Sequence, residues 1–502
     1  MFNKVLIANR GEIAARVIRG CHELGIAAVA VYSDVDAGAP WVREADEAWP
    51  LRGSTAAETY LDREKILTIA ANCGAEGIHP GYGFLSENAD FAAACAKRGL
   101  VFVGPSPEAM RALGSKAAAR SLAEAHDVPV VPGVDGAGKS DDELAAAAKA
   151  IGYPVLIKAS AGGGGRGMRV VGDAAELHDA LRAARQEAQS AFGDPHVLLE
   201  KYFTKIHHVE VQVMGDRHGH LLHLYERECS VQRRHQKIIE ESPSPAVGDN
   251  EALREAITAA AVRLARAAGY SNAGTVEFIV DGDGHFYFLE MNTRLQVEHP
   301  VTESLTGMDL VTWQLRVAAG EPLKFSQGDI IRRGHAMECR VYAEDPASGF
   351  LPSIGEIAHY DRPFGPGVRV DDGIESGSTV SPYYDSMLAK VITWGTTRPE
   401  TIRKMERALQ ETVVLGVTTN IDYLRAILAA PAFAAGDTST SFLAEHMAGW
   451  TPSTGIDEDE WIAAAVYEAM GKASDNGRAA AGDGAATVYD PWTAARGWRN
   501  VV

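Results

Sequence analysis

Cysteine is scarce and scattered in this chain of 502 residues: Cys21, Cys73, Cys95, Cys229 and Cys339 are five in number, widely spaced, and never form a Cys-x-x-Cys pair. An odd, dispersed set disfavours both a zinc site and a disulfide framework. Basic residues are in deficit as well, with 48 Lys plus Arg against 67 Asp plus Glu and a net charge of −19. Such a surface repels phosphate backbones and anionic membranes, so neither nucleic acid nor membrane is an expected partner. Whole-chain charge does not set the field inside a cleft, which leaves room for a phosphorylated small molecule. No apolar run approaches membrane-spanning length, and the strand-like Val5-Leu6-Ile7 follows no signal-like apolar core. A reducing cytoplasm or organelle matrix is the expected setting, with the cytoplasm preferred. The first turn, Ala8-Asn9-Arg10-Gly11-Glu12, lacks Gly-x-Gly-x-x-Gly and gives a dinucleotide site no support.

What is present reads as globular: hydrophobic residues are 46% and charged residues 23%. The length implies about two to four packed units. The first stretch alternates strand-like 5–8, a helix with Ile13, Val17, Cys21 and Leu24 on one side, strand-like 27–32, helical 60–72, strand-like 77–79, helical 88–98 and strand-like 100–104. Residues 1–114 therefore read as a doubly wound α/β layer with a parallel sheet. From Lys116 to about Leu323 longer strands and hairpins appear at 209–214, 219–226, 275–280 and 285–291, marking a second domain. A third begins near Gly334, with strand-like 336–342 and 387–394 and helical 398–412 and 420–429. Beyond about Gly449 the composition shifts to Gly, Ala, Asp and Ser and reads as a linker.

Three segments can carry chemistry. Lys158-Ala159-Ser160-Ala161-Gly162-Gly163-Gly164-Gly165-Arg166-Gly167-Met168 lies between strand-like 155–157 and 170–171. Consecutive glycines let backbone N–H groups approach an anion closely, and a Lys at the base with an Arg inside suits a lid over nucleotide phosphates; the plainer alternative is a loose surface loop. In Glu290-Met291-Asn292-Thr293-Arg294-Leu295-Gln296-Val297-Glu298-His299-Pro300 every even position from 290 to 298 is polar, which puts five side chains on one face if the segment stays extended. The preceding 286–289 reads as buried, so that face is expected to line a cleft. A two-residue loop at Asp281-Gly282-Asp283-Gly284 would make Glu277 and Glu290 diagonal neighbours in a hairpin. Two carboxylates that close repel unless a cation lies between them, and oxygen donors of this kind suit Mg²⁺ or Mn²⁺. The third segment, 226–237, is dense in hydrogen-bonding groups, and its spacing alone favours a solvated charged turn. Lys116, and Arg340 in an apolar strand, are weak signals by themselves.

Together these segments closely resemble the biotin carboxylase family of ATP-grasp enzymes, nearly continuously from Lys4 to about Met447. The specific motifs are Ala8-Asn9-Arg10-Gly11-Glu12-Ile13-Ala14, His79-Pro80-Gly81-Tyr82-Gly83-Phe84-Leu85-Ser86-Glu87-Asn88, Gln232-Arg233-Arg234-His235-Gln236-Lys237 and Glu290 through Pro300. Ala161 stands where many members carry another glycine. The resemblance implies a mixed α/β and α+β chain: an N-terminal α/β domain at 1–114, an ATP-grasp domain at 115–330 with a glycine-rich lid subdomain at about 132–203, a mixed α+β C-terminal domain at 331–447, and a tail at 448–502. It implies ATP contacts from Lys116, Lys158, Gly163, Gly164, Gly165, Glu200, Lys201, His208, Gln232 and His235, and Mg²⁺ or Mn²⁺ ligands in Glu277, Glu290 and Asn292. Arg294, Gln296, Val297 and Glu298 are implied for bicarbonate, with Glu298 as general base, Lys237 beside the transferred phosphoryl group, and Tyr82 and Arg340 at biotin.

The implied reaction has bicarbonate attack the γ-phosphate of ATP to give carboxyphosphate, which breaks down and carboxylates biotin on its ureido nitrogen. Phosphoryl transfer calls for metal and cationic neutralisation of the spreading oxygen charge, and a weakly acidic ureido N–H calls for an arginine at the developing enolate. The tail segments Asp490-Pro491-Trp492 and Gly497-Trp498-Arg499 resemble the connection toward the biotinyl region of acyl-CoA carboxylase alpha subunits, and no Met-Lys-Met-like site is present. Biotin is thus expected as a substrate on a carrier domain, downstream in a longer chain or separate, and a carboxyltransferase subunit in an oligomeric complex as the further partner. Two alternatives remain at this level: another ATP-grasp ligase, or a nucleotide-binding scaffold without turnover.

Overall fold

Val5, Leu6 and Ile7 are all wholly buried, yet they serve two different cores. Val5 and Ile7 pack with Ile13, Val17 and Cys21 of the Gly11–Glu23 helix, whereas Leu6 points the other way, toward Ile66, Leu67 and Ile69. A strand whose two faces are both apolar belongs inside a parallel sheet covered by helices on each side. Accordingly Lys4–Ile7 (β1), Ala27–Tyr32 (β2), Glu47–Pro50 (β3), Gly77–His79 (β4) and Val101–Phe102 (β5) form an all-parallel sheet in the order β3-β2-β1-β4-β5. The flanking helices begin later than periodicity alone indicates. Asp62 and Asn88 accept from the backbone N–H groups of Lys65 and Phe91, which fixes the starts at Arg63 and Ala89.

The computed structural model describes residues 1–159, 168–234, 236–452, 461–462 and 465–466. Gly163, Gly164, Gly165 and His235, together with most of the tail, lie outside the described residues. Residues Met1–Trp450 form one unit and Thr451–Val502 a second.

Next in the chain, Gly133–Asp135 (β6), Val155–Ala159 (β7), Met168–Val171 (β8) and Val197–Lys201 (β9) make a small antiparallel sheet in the order β6-β9-β7-β8. The sheet that carries the site is larger. Ile206–Gly215 (β10), Leu221–Arg233 (β11), Gln236–Ser242 (β12), Asn272–Asp281 (β13), Phe286–Asn292 (β14) and His335–Tyr342 (β15) join the Met387–Gly395 and Val368–Asp372 strands in eight antiparallel strands. The order is β14-β13-β10-β11-β12-β15, then Met387–Gly395, then Val368–Asp372. This sheet runs unbroken through the region near 330 where the sequence pattern changes.

Several expectations are corrected here. The β13–β14 connection is a four-residue loop, 282–285, closed by the Asp281 N–H donating to the His285 carbonyl at 2.9 Å. A bulge after Glu277 then sets Glu277 directly opposite Glu290 rather than diagonal to it. The extended run stops at Asn292, and the chain turns through 293–298 into the His299–Thr306 helix, so the alternating polar residues do not share a strand face. Of 286–289 only Phe288 is buried, and Leu289 is exposed. The 226–237 segment is no solvated turn: Glu226, Arg227 and Glu228 are buried mid-strand in β11. All five cysteines are free and buried, and among the described residues no helix is long and apolar enough to cross a membrane.

Candidate active site

Alternation in β10 builds the floor of the site. Val209, Val211 and Val213 enter an apolar core, which turns Glu210 and Gln212 to the other face, where both are wholly buried. Pairing register carries that face across four strands: Arg227 of β11 lies opposite Glu210, Glu210 opposite Glu277, and Glu277 opposite Glu290. Three carboxylates in one row repel one another, and burial makes the repulsion costly. Arg227 offsets part of it. Its guanidinium is wholly buried and donates to Glu210 Oε1 at 2.6 Å, Gln212 at 2.8 Å, Thr302 at 3.0 Å, Thr275 at 3.1 Å and Gln296 at 2.7 Å.

Lys237 supplies the second countercharge. Its ammonium donates to Glu210 Oε2 at 2.6 Å, Glu277 Oε1 at 3.0 Å and Glu298 Oε1 at 2.6 Å, using all three protons on three carboxylates. Glu277 Oε1 also accepts from Asn292 at 2.8 Å and Gln296 at 2.9 Å, and His208 Nε2 lies 2.9 Å from Glu277 Oε2. Burial raises the proton affinity of Glu277, but Lys237 and His208 outweigh it and hold the carboxyl well below its ordinary range. Burial likewise works against Glu298, and Lys237, Arg340 and Arg227 reverse it, so Glu298 is held well below the ordinary range too.

Arg340 bridges two acids, donating through Nε to Glu240 at 2.6 Å and through Nη2 to Glu298 at 2.9 Å. Arg294 donates to Glu87 at 3.1 Å and to Asn292 Oδ1 at 3.2 Å, while Glu87 also accepts the Thr293 N–H at 3.2 Å. The Val297 carbonyl accepts from Lys390 at 2.8 Å, and the Tyr82 hydroxyl donates to Glu12. Thus Lys237, Glu277, Asn292, Arg294, Gln296, Glu298, His208 and Arg340 meet in one knot, and Val297 and Tyr82 are tied to it through Lys390 and Glu12.

Other expected residues stand apart from the knot. Lys158 and Glu200 form an ion pair across β7 and β9 of the small sheet, and Lys201 turns its ammonium onto the Gly152 and Tyr153 carbonyls at 2.9 and 3.0 Å. Gln232 is half-buried and pairs in register with Lys237. Lys116 approaches Glu290 at 3.6 Å, with the two side chains 60% and 40% exposed. Glu290 is therefore the solvent-side end of the acidic row. Glu277, Glu290 and Asn292 offer an all-oxygen donor set that fits a hard divalent cation such as Mg²⁺ or Mn²⁺, and directly opposed carboxylates give such a cation its reason to bind.

Sequence reading missed Glu210, Arg227, Glu240, Glu338 and Lys390. Glu210, Glu338 and Lys390 are charged residues flanked on both sides by apolar ones inside a strand, and that interruption is the signal that could have found them; Arg227, between Glu226 and Glu228, and Glu240, before Glu241, carry no such signal. Glu338 is opposite Glu240 in register, and among the described residues neither of its carboxyl oxygens has a hydrogen-bond partner. Burial pushes the Glu338 carboxyl well above its ordinary range, and Glu240 is pushed up to about 7, by burial against the pull of Arg340.

Three family models match the chain. They are the biotin carboxylase N-terminal domain over residues 1–110, the carbamoyl-phosphate synthase L chain ATP binding domain over 115–326 and the biotin carboxylase C-terminal domain over 338–445. Biotin carboxylase 2 of Bacillus subtilis is 52% identical over 447 residues, spanning 89% of this chain and 100% of that protein. The mitochondrial propionyl-CoA carboxylase alpha chain of Homo sapiens is 51% identical over 446 residues, 88% of this chain but only 61% of that longer protein. Among solved structures, the biotin carboxylase domain dimer of Hydrogenobacter thermophilus 2-oxoglutarate carboxylase, in complex with MgADP, ADP and bicarbonate, superposes with a TM-score of 0.84 at 47% identity, covering 90% of this chain and 99% of that one.

Proposed function

This chain belongs to the biotin carboxylase family of ATP-dependent ligases, and from that premise we propose that it carboxylates biotin held on a carrier domain, using MgATP and bicarbonate, as the first half-reaction of an acyl-CoA carboxylase. The single observation that carries the site assignment is Glu298 clamped between Lys237 and Arg340. A carboxylate so held is ionised and able to accept a proton, and it sits next to Val297 and within the same knot as Arg294 and Gln296, the proposed bicarbonate contacts. Glu298 takes the bicarbonate proton as the bicarbonate oxygen attacks the γ-phosphate. Lys237 is placed to follow the negative charge onto the transferred phosphoryl group. Each step of that ammonium away from Glu298 removes the main attraction holding the carboxyl acidic, so the base strengthens when it is needed.

Glu277, Glu290 and Asn292 would hold the divalent cation, which supplies charge neutralisation at the phosphates. Lys116 and Lys158, with Gly163, Gly164, Gly165, Glu200, Lys201, His208, Gln232 and His235, are assigned to the nucleotide. In the second stage Arg340 stabilises negative charge on the ureido oxygen of biotin, and Tyr82 lines the same site. The domain limits near 114, 330 and 447, the cytoplasmic setting, and the carrier and carboxyltransferase partners in an oligomeric complex belong to this same reading. The test is phosphate release with bicarbonate, biotin and a biotinylated carrier omitted in turn. Release should depend on all three, and Glu298→Gln should lower it by about 10²–10⁴-fold, the range of a lost general base. Release indifferent to biotin and carrier would overturn the proposal in favour of another ATP-grasp ligase.

A further inference from the structure

Glu12, in the first turn of the Gly11–Glu23 helix, has no place in the chemistry above, yet it is buried and bonded to two elements that do. Its Oε1 accepts the Tyr82 hydroxyl and lies 3.1 Å from the ammonium of Lys390, which is wholly buried in the Met387–Gly395 strand. The same ammonium donates to the Val297 carbonyl at 2.8 Å. Asp371 lies at 3.9 Å, and Arg340 is the register partner of Lys390 on β15, with Glu338 and Arg369 the other charged groups facing it. The turn bearing Glu12 is pinned from outside: a Cβ on Gly373 would stand 2.5 Å from the Gly11 carbonyl carbon and 2.7 Å from the Glu12 nitrogen. Gly373, just past the Val368–Asp372 strand, thus packs its backbone against the Gly11–Glu12 peptide more closely than any side chain would allow.

A buried ammonium is costly to desolvate, and filling this space needs only a methionine-sized chain. What Met could not do is donate to a peptide carbonyl and a carboxylate at once. We propose that Lys390 and Glu12 are a positioning pair, fixing the Val297–Glu298 peptide relative to Tyr82 so that the bicarbonate and biotin sites keep one geometry. The proposal rests on the carboxylase reading above. It makes the Asn9-Arg10-Gly11-Glu12 motif part of the reaction's scaffolding: Asn9 donates to the Pro80 and Tyr82 carbonyls, both at 2.7 Å, holding the Tyr82 backbone while Glu12 holds its hydroxyl.

The test uses the full chain with a biotinylated carrier. Lys390→Met alone would leave Glu12 beside Asp371 without a countercharge, so the variant to make is the charge-neutral Lys390→Met/Glu12→Gln. KM for bicarbonate should rise about tenfold, the worth of one hydrogen bond from a charged donor. KM for the carrier should rise several-fold while KM for ATP stays within about twofold, since neither residue touches the nucleotide groups. Glu12→Gln alone keeps the Lys390–Val297 bond and the side-chain size. It should raise only the carrier KM, and it decides the matter if the double variant does not fold. A uniform fall in kcat with all KM values unchanged, or no kinetic change at all, overturns the proposal. Parent-chain phosphate release indifferent to bicarbonate and biotin would overturn the carboxylase reading and this proposal with it.

Discussion

Arg227→Met is the sharpest probe of how the site is held. The substitution keeps the length of an apolar stem but deletes a wholly buried guanidinium that makes five hydrogen bonds. Removing one partner of a buried ion pair costs about 3–5 kcal/mol when the other is left uncompensated. Here Glu210 keeps Lys237 at 2.6 Å, and Gln212 keeps its amide bonds to the Val213 and Gly274 carbonyls at 3.2 and 2.9 Å, so the loss belongs near the lower end. Against a total stability of about 5–15 kcal/mol the variant folds, with its urea midpoint lowered by about a third. Gln296 loses one of its two anchors and retains only Glu277 at 2.9 Å. If that amide contacts bicarbonate, the misplacement should raise the bicarbonate KM by about tenfold, equivalent to about 1.4 kcal/mol. Urea denaturation and phosphate release against bicarbonate concentration measure the two effects. A variant within about 1 kcal/mol of the parent, with unchanged bicarbonate dependence, would refute the idea that this arginine organises the acidic row.

Two further outcomes separate the ends of that row and its buried neighbours. Glu290→Gln, at the half-exposed end, should shift the metal requirement of ATP turnover to higher Mg²⁺ or Mn²⁺ while altering stability by no more than about 0.5 kcal/mol; Glu277→Gln should do both, because Lys237, His208, Asn292 and Gln296 all lean on it, and a metal titration identical to the parent removes either residue from the cation site. For the Glu240–Glu338 pair the sign follows from raised folded-state pKa values: the folded protein binds more protons than the unfolded one above the ordinary carboxylate range, so stability falls as pH rises from about 4.5 toward about 7. Glu338→Gln, with no proton to lose, should flatten that part of the Tm-versus-pH curve and leave the fold intact, and an unchanged slope would show that Glu338 does not gain a proton on folding.

Much of this was legible in the sequence because it depended on local pattern. The parallel N-terminal sheet follows from apolar strands alternating with helical periodicity, and β10, β13, β14 and the first half of β11 were visible as strand-like runs, whereas the second half of β11 reads as a charged turn. The register was not legible. A four-residue rather than two-residue turn, plus a bulge after Glu277, decides whether Glu277 and Glu290 are opposed or diagonal, and a single inserted residue in a ladder leaves no periodic trace. Convergence of Lys237, Glu298 and Arg340 was reached by family resemblance, not by periodicity, since they come from β12, a turn and β15. Arg227 and Lys390 were missed for a general reason. A buried cation looks like a surface residue, Arg227 because acids flank it and Lys390 because its partners, up to 93 positions away in the case of Val297, are not known from the sequence.

The continuity of the eight-stranded sheet across residue 330 has a mechanical consequence. Ile239 to Ser242 of β12 are hydrogen-bonded along their outer edge to β15 in register with Cys339 to Ala336, so the ammonium of Lys237 and the guanidinium of Arg340, the two cations that hold Glu298, are mounted on one continuous backbone lattice. Severing the chain there would expose that edge as a template for intermolecular pairing rather than release a working half. Nor can Lys237 and Arg340 drift apart by a hinge, because any rotation between β12 and β15 would have to tear a ladder of main-chain bonds. Any motion of the chain is left to parts outside this lattice, and the distance between these two cations is set once, by folding.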